Sequence, residues 1–142
     1  MSWTCYWAKE VWILPIHRPS NVGHWVLCVV HLRSKELHLF DSFAEQKAWK
    51  VDIKDIMRLI ARLVTIARQH NHTVHVNVDF DGWVARPLMT EAVQTNGYDC
   101  GVWVLAMIAA TLHGNHCTSI GEEDMHIFRH YLRALVLQIP VF

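Results

Sequence analysis

From Val102 to Leu112 the chain reads VWVLAMIAATL, and Thr111 is its single polar residue. A run that apolar exceeds what one face of a surface helix needs, so it predicts a helix buried on most of its sides. The stretch before it, QTNGYDCG (94–101), is polar and contains Asn96-Gly97, a turn signal in which glycine supplies a positive φ without a Cβ clash. Cys100 therefore falls in the first turn of the helix. Unpaired N–H groups and the helix dipole favour an anion at that place, and surroundings of this kind favour a reactive thiolate. The competing reading is a thiol kept for packing, since free cysteine commonly behaves as a small buried hydrophobe.

With 142 residues, the chain is long enough for one compact domain that buries roughly 70% of the surface its unfolded form exposes. Hydrophobic residues make up 52% and charged residues 18%, with seven tryptophans, which excludes disorder and low complexity and predicts an aromatic-rich core. Thirteen basic residues balance thirteen acidic ones without a lysine/arginine block, so the electrostatic footprint of a nucleic-acid binder is missing. Cys5, Cys28, Cys100 and Cys117 could pair, but a chain this apolar needs no disulfide framework. Lys9 and Glu10 interrupt what would be an apolar signal region, and no stretch approaches the ~20 apolar residues of a membrane span. The expectation is a soluble intracellular domain, nuclear or cytoplasmic, without membrane or nucleic-acid partners.

VWILPIH (11–17) and HWVLCVVHL (24–32) are rich in β-branched and aromatic residues and read as strands, with Pro15 favouring an edge position for the first. ELHLFDS (36–42) alternates Leu37 and Leu39 with polar neighbours and predicts a hairpin partner for 24–32, turning at Arg33–Lys35. Residues 51–70 carry Ile53, Ile56, Met57, Ile60, Leu63, Val64 and Ala67 at helical spacing, with Asp52 as N-cap. TVHVNV (73–78) and WVARPLM (83–89) read as short strands, the second interrupted by Pro87, and a last amphipathic helix spans about 122–137 before Pro140.

A cysteine protease needs a thiolate, an imidazole to activate it, a group orienting that imidazole, and donors for the oxyanion. The predicted hairpin brings His24, at the start of one strand, and Asp41, at the end of the next, to the same end. Gln94, six residues before Cys100, is close enough for its amide, together with the Cys100 N–H, to form a two-donor oxyanion hole. Singly, each has an ordinary explanation as a surface histidine, a turn aspartate or a loop amide. The combination is what carries information.

HWVLCVVHLRSKELHLFDSF followed by VQTNGYDCGVWVL resembles the ubiquitin-like-protein-specific cysteine proteases, the SUMO proteases. Their pattern is a His-Trp strand, a strand ending in Asp-Ser, and Gln-x-Asn-Gly-x-Asp-Cys-Gly. The resemblance implies an α+β, papain-like fold with the permuted order His, Asp, Cys: a central antiparallel or mixed sheet, and the nucleophile at the N-terminus of a buried helix. It implies His24 as general base, Asp41 as its orienting partner, Cys100 as nucleophile, Gln94 as oxyanion donor, and Trp25 as one wall of the tunnel that admits a Gly-Gly tail. No cofactor or metal is implied. The partners expected are a ubiquitin-like modifier of SUMO type and its protein conjugates. The family's domains start further upstream with a helical segment whose Trp-Leu-x-Asp-type motif supplies the opposite wall. Trp3, Trp7 and Trp12 sit in no such motif, so residues 1–142 are expected to be a single catalytic domain lacking that segment.

Two other readings remain open on the residues. His70, His72 and His75, with His113, His116 and Cys117, could ligate zinc, although no Cys-x-x-Cys knuckle accompanies them. The chain could also bind a modifier without cleaving it, or transfer an acyl group with the same residues.

Overall fold

The structure, a computed structural model, describes residues 5–19, 23–71, 73–74 and 79–141. In chain order the elements are β1 (Val11–Arg18), β2 (His24–His31), β3 (Glu36–Phe40), α1 (Trp49–His70), β4 (Val84–Pro87), α2 (Cys100–Leu112) and α3 (Met125–Leu137). Short 3-10 turns stand at Tyr6–Ala8 and Glu122–Asp124. The strands form one sheet in the order β1-β2-β3-β4, which puts β1, with Pro15, at an edge. β2 and β3 are adjacent and joined by the turn at 32–35, as in a hairpin, and Lys35 takes a positive φ of 56° in that turn. β4 pairs with β3 in parallel, Glu36 opposite Val84 and Leu39 opposite Pro87, so the sheet is mixed. The fold is α+β and papain-like, as the resemblance implied.

Two compact units divide the chain, and the first three strands contribute residues to both. One comprises Met1–Leu14, Cys28–Leu39 and Glu45–Pro87. Its core holds Cys28, Val29 and Val30 of β2, Leu37 and Leu39 of β3, and Ile56, Ile60, Val64 and Ala67 of α1. The α1 residues recur every three or four positions and so line one stripe of the helix. Tyr6 Oη donates to Leu63 O at 2.7 Å and Trp12 Nε1 to Tyr6 O at 3.0 Å, which ties the first turn to α1. Glu36 lies 2.9 Å from His38 Nε2 and 3.0 Å from Arg86 Nε. These contacts, His38 first, hold its carboxyl below the usual range.

The second unit comprises Pro15–Leu27, Phe40–Ala44 and Leu88–Phe142. Val26, Leu27, Phe40, Val102, Trp103, Val104, Ala106, Met107 and Met125 form its buried apolar set, and α2 touches α3. Trp103 is fully buried, and truncating such a ring to alanine typically costs about 3–5 kcal/mol.

Three local expectations need correction. α1 begins at Trp49, with Ala48 at the N-cap, so Asp52 sits inside the first turn, where its charge complements the helix dipole without capping it. Of the strand expected at 73–78, Thr73 and Val74 are not strand and 75–78 lie outside the described residues. The strand at 83–89 shortens to Val84–Pro87, and residues 88–99 are irregular. The last helical run keeps its expected bounds, a 3-10 turn at Glu122–Asp124 leading directly into α3 at Met125–Leu137. α2 is less enclosed than its apolar sequence predicts: six of its thirteen residues are buried, and Leu105, Ala109 and Leu112 are exposed. Among the described residues no helix is long and apolar enough to cross a membrane.

Candidate active site

All five residues singled out in the sequence belong to the second unit. His24 is the first residue of β2 and Asp41 follows the last residue of β3. Because the strands fold back on each other, the two side chains meet, His24 Nε2 lying 2.8 Å from Asp41 Oδ1. Asp41 is 2% exposed. Its Oδ1 also accepts the Phe43 N–H at 2.9 Å, and its Oδ2 accepts Arg18 Nη1 at 2.7 Å. The Phe43 ring lies 4.8 Å from the His24 ring. Engaging Nε2 with the carboxylate leaves Nδ1 as the nitrogen able to take a proton from elsewhere.

Cys100 opens α2 with Asp99 at the N-cap, and its sulfur accepts the backbone N–H of Trp25 at 3.5 Å. A backbone donor aimed at sulfur, added to the free N–H groups of a first helical turn, stabilises negative charge there. Cys28 is the contrasting thiol. Burial pushes it up to about 12, so it stays protonated and unreactive.

Trp25 keeps 43% of its surface exposed. The His17 ring stands 4.9 Å from its ring, and a Cβ on Gly101 would reach 3.6 Å from Trp25 Cδ1. A groove of about 640 Å³ runs past Trp25 and Cys100, and Gly23, Gly97 and Gly101 are among its lining residues. The three glycines leave their stretches of wall without side chains between bulkier neighbours such as His17, Trp25 and Tyr98, which suits a thin, extended substrate. Gly23 takes a φ of +68°, which strains any residue with a side chain, and a Cβ there would also come within 2.6 Å of His17 Nε2 and push that ring aside.

Gln94 is buried and tied down. Its Oε1 accepts the Ser42 hydroxyl at 2.7 Å, and its Nε2 donates to Asn96 O at 2.6 Å and, more weakly, to Asn96 Oδ1 at 3.4 Å. Its amide is thus oriented by both neighbours, with the 3.4 Å contact the longest of the three.

The loop from 94 to 99 is organised differently from the turn expected at Asn96-Gly97. Gly97 does not take a positive φ. Asn96 makes the bend instead, its Oδ1 accepting the N–H groups of Tyr98 and Asp99, both at 3.0 Å. Asn96 Nδ2 donates to Asp99 Oδ2 at 2.8 Å and to Glu122 Oε1 at 3.0 Å. Glu122 further accepts Thr95 N at 2.8 Å, Thr95 Oγ1 at 2.8 Å and Asn96 N at 3.3 Å. These bonds, the Thr95 N–H first, hold its carboxyl below the ordinary glutamate range. Arg129 of α3 bonds Asp99 Oδ1 at 2.6 Å. Sequence reasoning missed Arg18, Glu122 and Arg129. Only the polar character of Glu122 and Arg129 on an otherwise amphipathic C-terminal helix hinted at partners.

His72 and His75 of the zinc candidate lie outside the described residues, and among the described residues no three His, Cys, Asp or Glu side chains form a metal-binding group.

The class defined here is that of a cysteine-peptidase domain with a permuted papain-like order. The sequence matches the Ulp1 protease family, C-terminal catalytic domain, over residues 4–139, and the chain belongs to that family. No curated protein matches the chain by sequence. Among solved structures it is similar to the SUMO protease Ulp1 with its catalytic cysteine oxidised to a sulfenic acid: 20% identity, TM-score 0.65, covering 90% of this chain and 52% of that one. It is similar to the C-terminal Ulp1 protease domain in complex with Smt3, the yeast ortholog of SUMO, at 22% identity and TM-score 0.64, covering 90% and 52%. A Chlamydia abortus effector, ChlaDUB, matches at 16% identity and TM-score 0.56, covering 94% and 60%. The chain thus spans about half the length of the Ulp1 structures it matches.

Proposed function

We propose that this domain cleaves after the C-terminal glycine of a small ubiquitin-like modifier, releasing it from conjugates or maturing its precursor, with SUMO the first candidate. Cys100 Sγ attacks the carbonyl carbon of that glycine. His24 Nδ1 takes the thiol proton and passes it to the leaving amine, while Asp41 on Nε2 stabilises the imidazolium. The Cys100 N–H and the Gln94 amide receive the oxyanion. A water deprotonated by His24 then hydrolyses the thioester. Trp25 and the glycine-lined slot hold the modifier's tail. This reading treats residues 1–142 as one catalytic domain working in a reducing compartment, nucleus or cytoplasm, in keeping with its free cysteines.

The observation that carries the reading is the 3.5 Å contact between Trp25 N and Cys100 Sγ. It sets the residue covalently joined to His24 against the thiol, while the far nitrogen of His24 faces Asp41. Support for the modifier class comes from the relatives, since one Ulp1 structure is a complex with Smt3. The test incubates the chain with C-terminal electrophile probes of SUMO, ubiquitin and other modifiers and maps the adduct by mass spectrometry. An adduct on Cys100 with a SUMO-type probe is expected. Labelling by the ubiquitin probe alone would move the substrate class, and no adduct with any probe would overturn the reading.

A further inference from the structure

We infer that Arg18 is a positioning residue of this site: it holds Asp41 from the side opposite His24 and so fixes the imidazole for the thiol. The inference rests on the proposed function, since it concerns how the same cysteine is activated. Asp41 has two carboxylate oxygens with separate duties. Oδ1 faces His24 Nε2 at 2.8 Å and the Phe43 N–H at 2.9 Å, and Oδ2 is held by Arg18 Nη1 at 2.7 Å. With donors on both oxygens the carboxylate plane cannot rotate, and His24 is offered one acceptor in one direction.

Charge leads to the same residue. The Asp41 side chain is 1% exposed and that of Arg18 13%. A carboxylate that deep is costly unless paired, and a neutral imidazole is not a counter-charge. Arg18 supplies one during the part of the cycle in which His24 carries no proton on Nδ1. A guanidinium is suited to this, being always charged and rigidly planar. Arg18 is also the last residue of β1, the strand next to β2, so the sheet itself sets its position.

Arg18 is absent from the residues lining the groove, although its strand neighbours Pro15 and His17 are among them. A substrate in the groove would meet those neighbours and not the guanidinium, so its loss should register in turnover and not in substrate affinity. That separates positioning from binding.

The experiment compares the parent chain with Arg18→Met, which keeps the apolar stem, and Arg18→Lys, which keeps the charge on a different head. Circular dichroism and thermal melts report folding. Alkylation of Cys100 by iodoacetamide reads thiol activation without any modifier, and turnover of a SUMO-fluorophore conjugate gives kcat and KM. Arg18→Met should lower both alkylation rate and kcat by roughly 10- to 100-fold, the scale of a misplaced catalytic group, at unchanged KM. Arg18→Lys should recover part of the loss. A His24 Nε2 proton resonance is expected in the parent and should weaken or disappear in Arg18→Met. Parental alkylation and turnover in folded Arg18→Met, or a raised KM with unchanged kcat, would overturn the inference. If the methionine variant does not fold, the lysine variant decides: an intermediate rate at unchanged KM supports the role, and a parental rate overturns it. Should the parent cleave no modifier, the proposed function falls, while alkylation and the His24 resonance still test Arg18.

Discussion

The end of the β2–β3 hairpin and the 94–99 loop flank the same cysteine, and they are held by opposite means. At the hairpin end side chains chiefly hold each other, His24 to Asp41 and Asp41 to Arg18, with one further bond from Asp41 to the Phe43 N–H. In the loop the side chains hold backbone: Asn96 Oδ1 takes two N–H groups, and Glu122 takes those of Thr95 and Asn96. Regular structure fixes the first region, so its polar groups are spared for chemistry. The second lacks a ladder of its own, so polar groups must serve as scaffold. Damage to the hairpin end should therefore appear in the chemical step, and damage to the loop in the ordering of backbone.

The sharpest test of that contrast is the cysteine between the two regions. Cys100→Ser should abolish turnover and probe labelling, while serine at Cys5, Cys28 or Cys117 leaves both. Labelling that survives Cys100→Ser would remove the point about which the two regions are compared. At the hairpin end, Asp41→Asn should lower kcat by about 10³–10⁴-fold with the fold retained, by favouring the wrong imidazole tautomer. Steady-state kinetics with a thermal melt checks this, and a large loss of stability with little loss of rate would make Asp41 scaffold too. Gln94→Ala should cost on the order of 10²–10³ in rate, the scale of one lost oxyanion donor. Parental turnover would confine the oxyanion hole to other groups.

Within the loop, Glu122→Gln should cost about tenfold in kcat, the loss expected when a few tenths of an ångström of misplacement reach the nucleophile. It should also increase exchange of the Thr95 and Asn96 amide protons. The pH dependence has a definite sign. Glu122 is held below its ordinary value by the Thr95 and Asn96 donors, so its hold is complete above the usual glutamate range and is lost as pH falls through the lowered value. Amide exchange at Thr95 should rise in acid in the parent and become pH-flat in Glu122→Gln, once corrected for intrinsic exchange. The smallest effect belongs to Gly97→Ala. With no positive φ and open space around a new Cβ, it should change stability by under about 0.5 kcal/mol, read from denaturant unfolding. A larger loss would return the turn to the glycine.

The same contrast explains what the sequence could convey. Strands 11–18, 24–31 and 36–40 and helices 49–70 and 100–112 carry their periodicity locally, and the meeting of His24 with Asp41 follows from strand length and one short turn. Arg18 is invisible to such reasoning because no spacing rule links it to Asp41, 23 positions away. Glu122 and Arg129 act across 27 and 30 positions, on Thr95 and Asp99. Gly97 misled for a different reason: Asn-Gly reports that the chain bends, and here the asparagine side chain does the bending. The parallel pairing of β4 with β3 depends on a long connection through α1 that local patterns do not encode.

Ser42 joins the two regions. Its carbonyl accepts Val93 N at 2.9 Å and Gln94 N at 3.2 Å, and its hydroxyl donates to Gln94 Oε1. Ser42 is also covalently bonded to Asp41. The Asp41 carboxylate and the Gln94 amide thus share one mechanical mount, so thermal displacement of the strand end carries both in step. Error common to both leaves their relative placement intact, much as two instruments bolted to one bench keep alignment when the bench shakes. Loosening the mount with Ser42→Gly would convert common motion into relative motion.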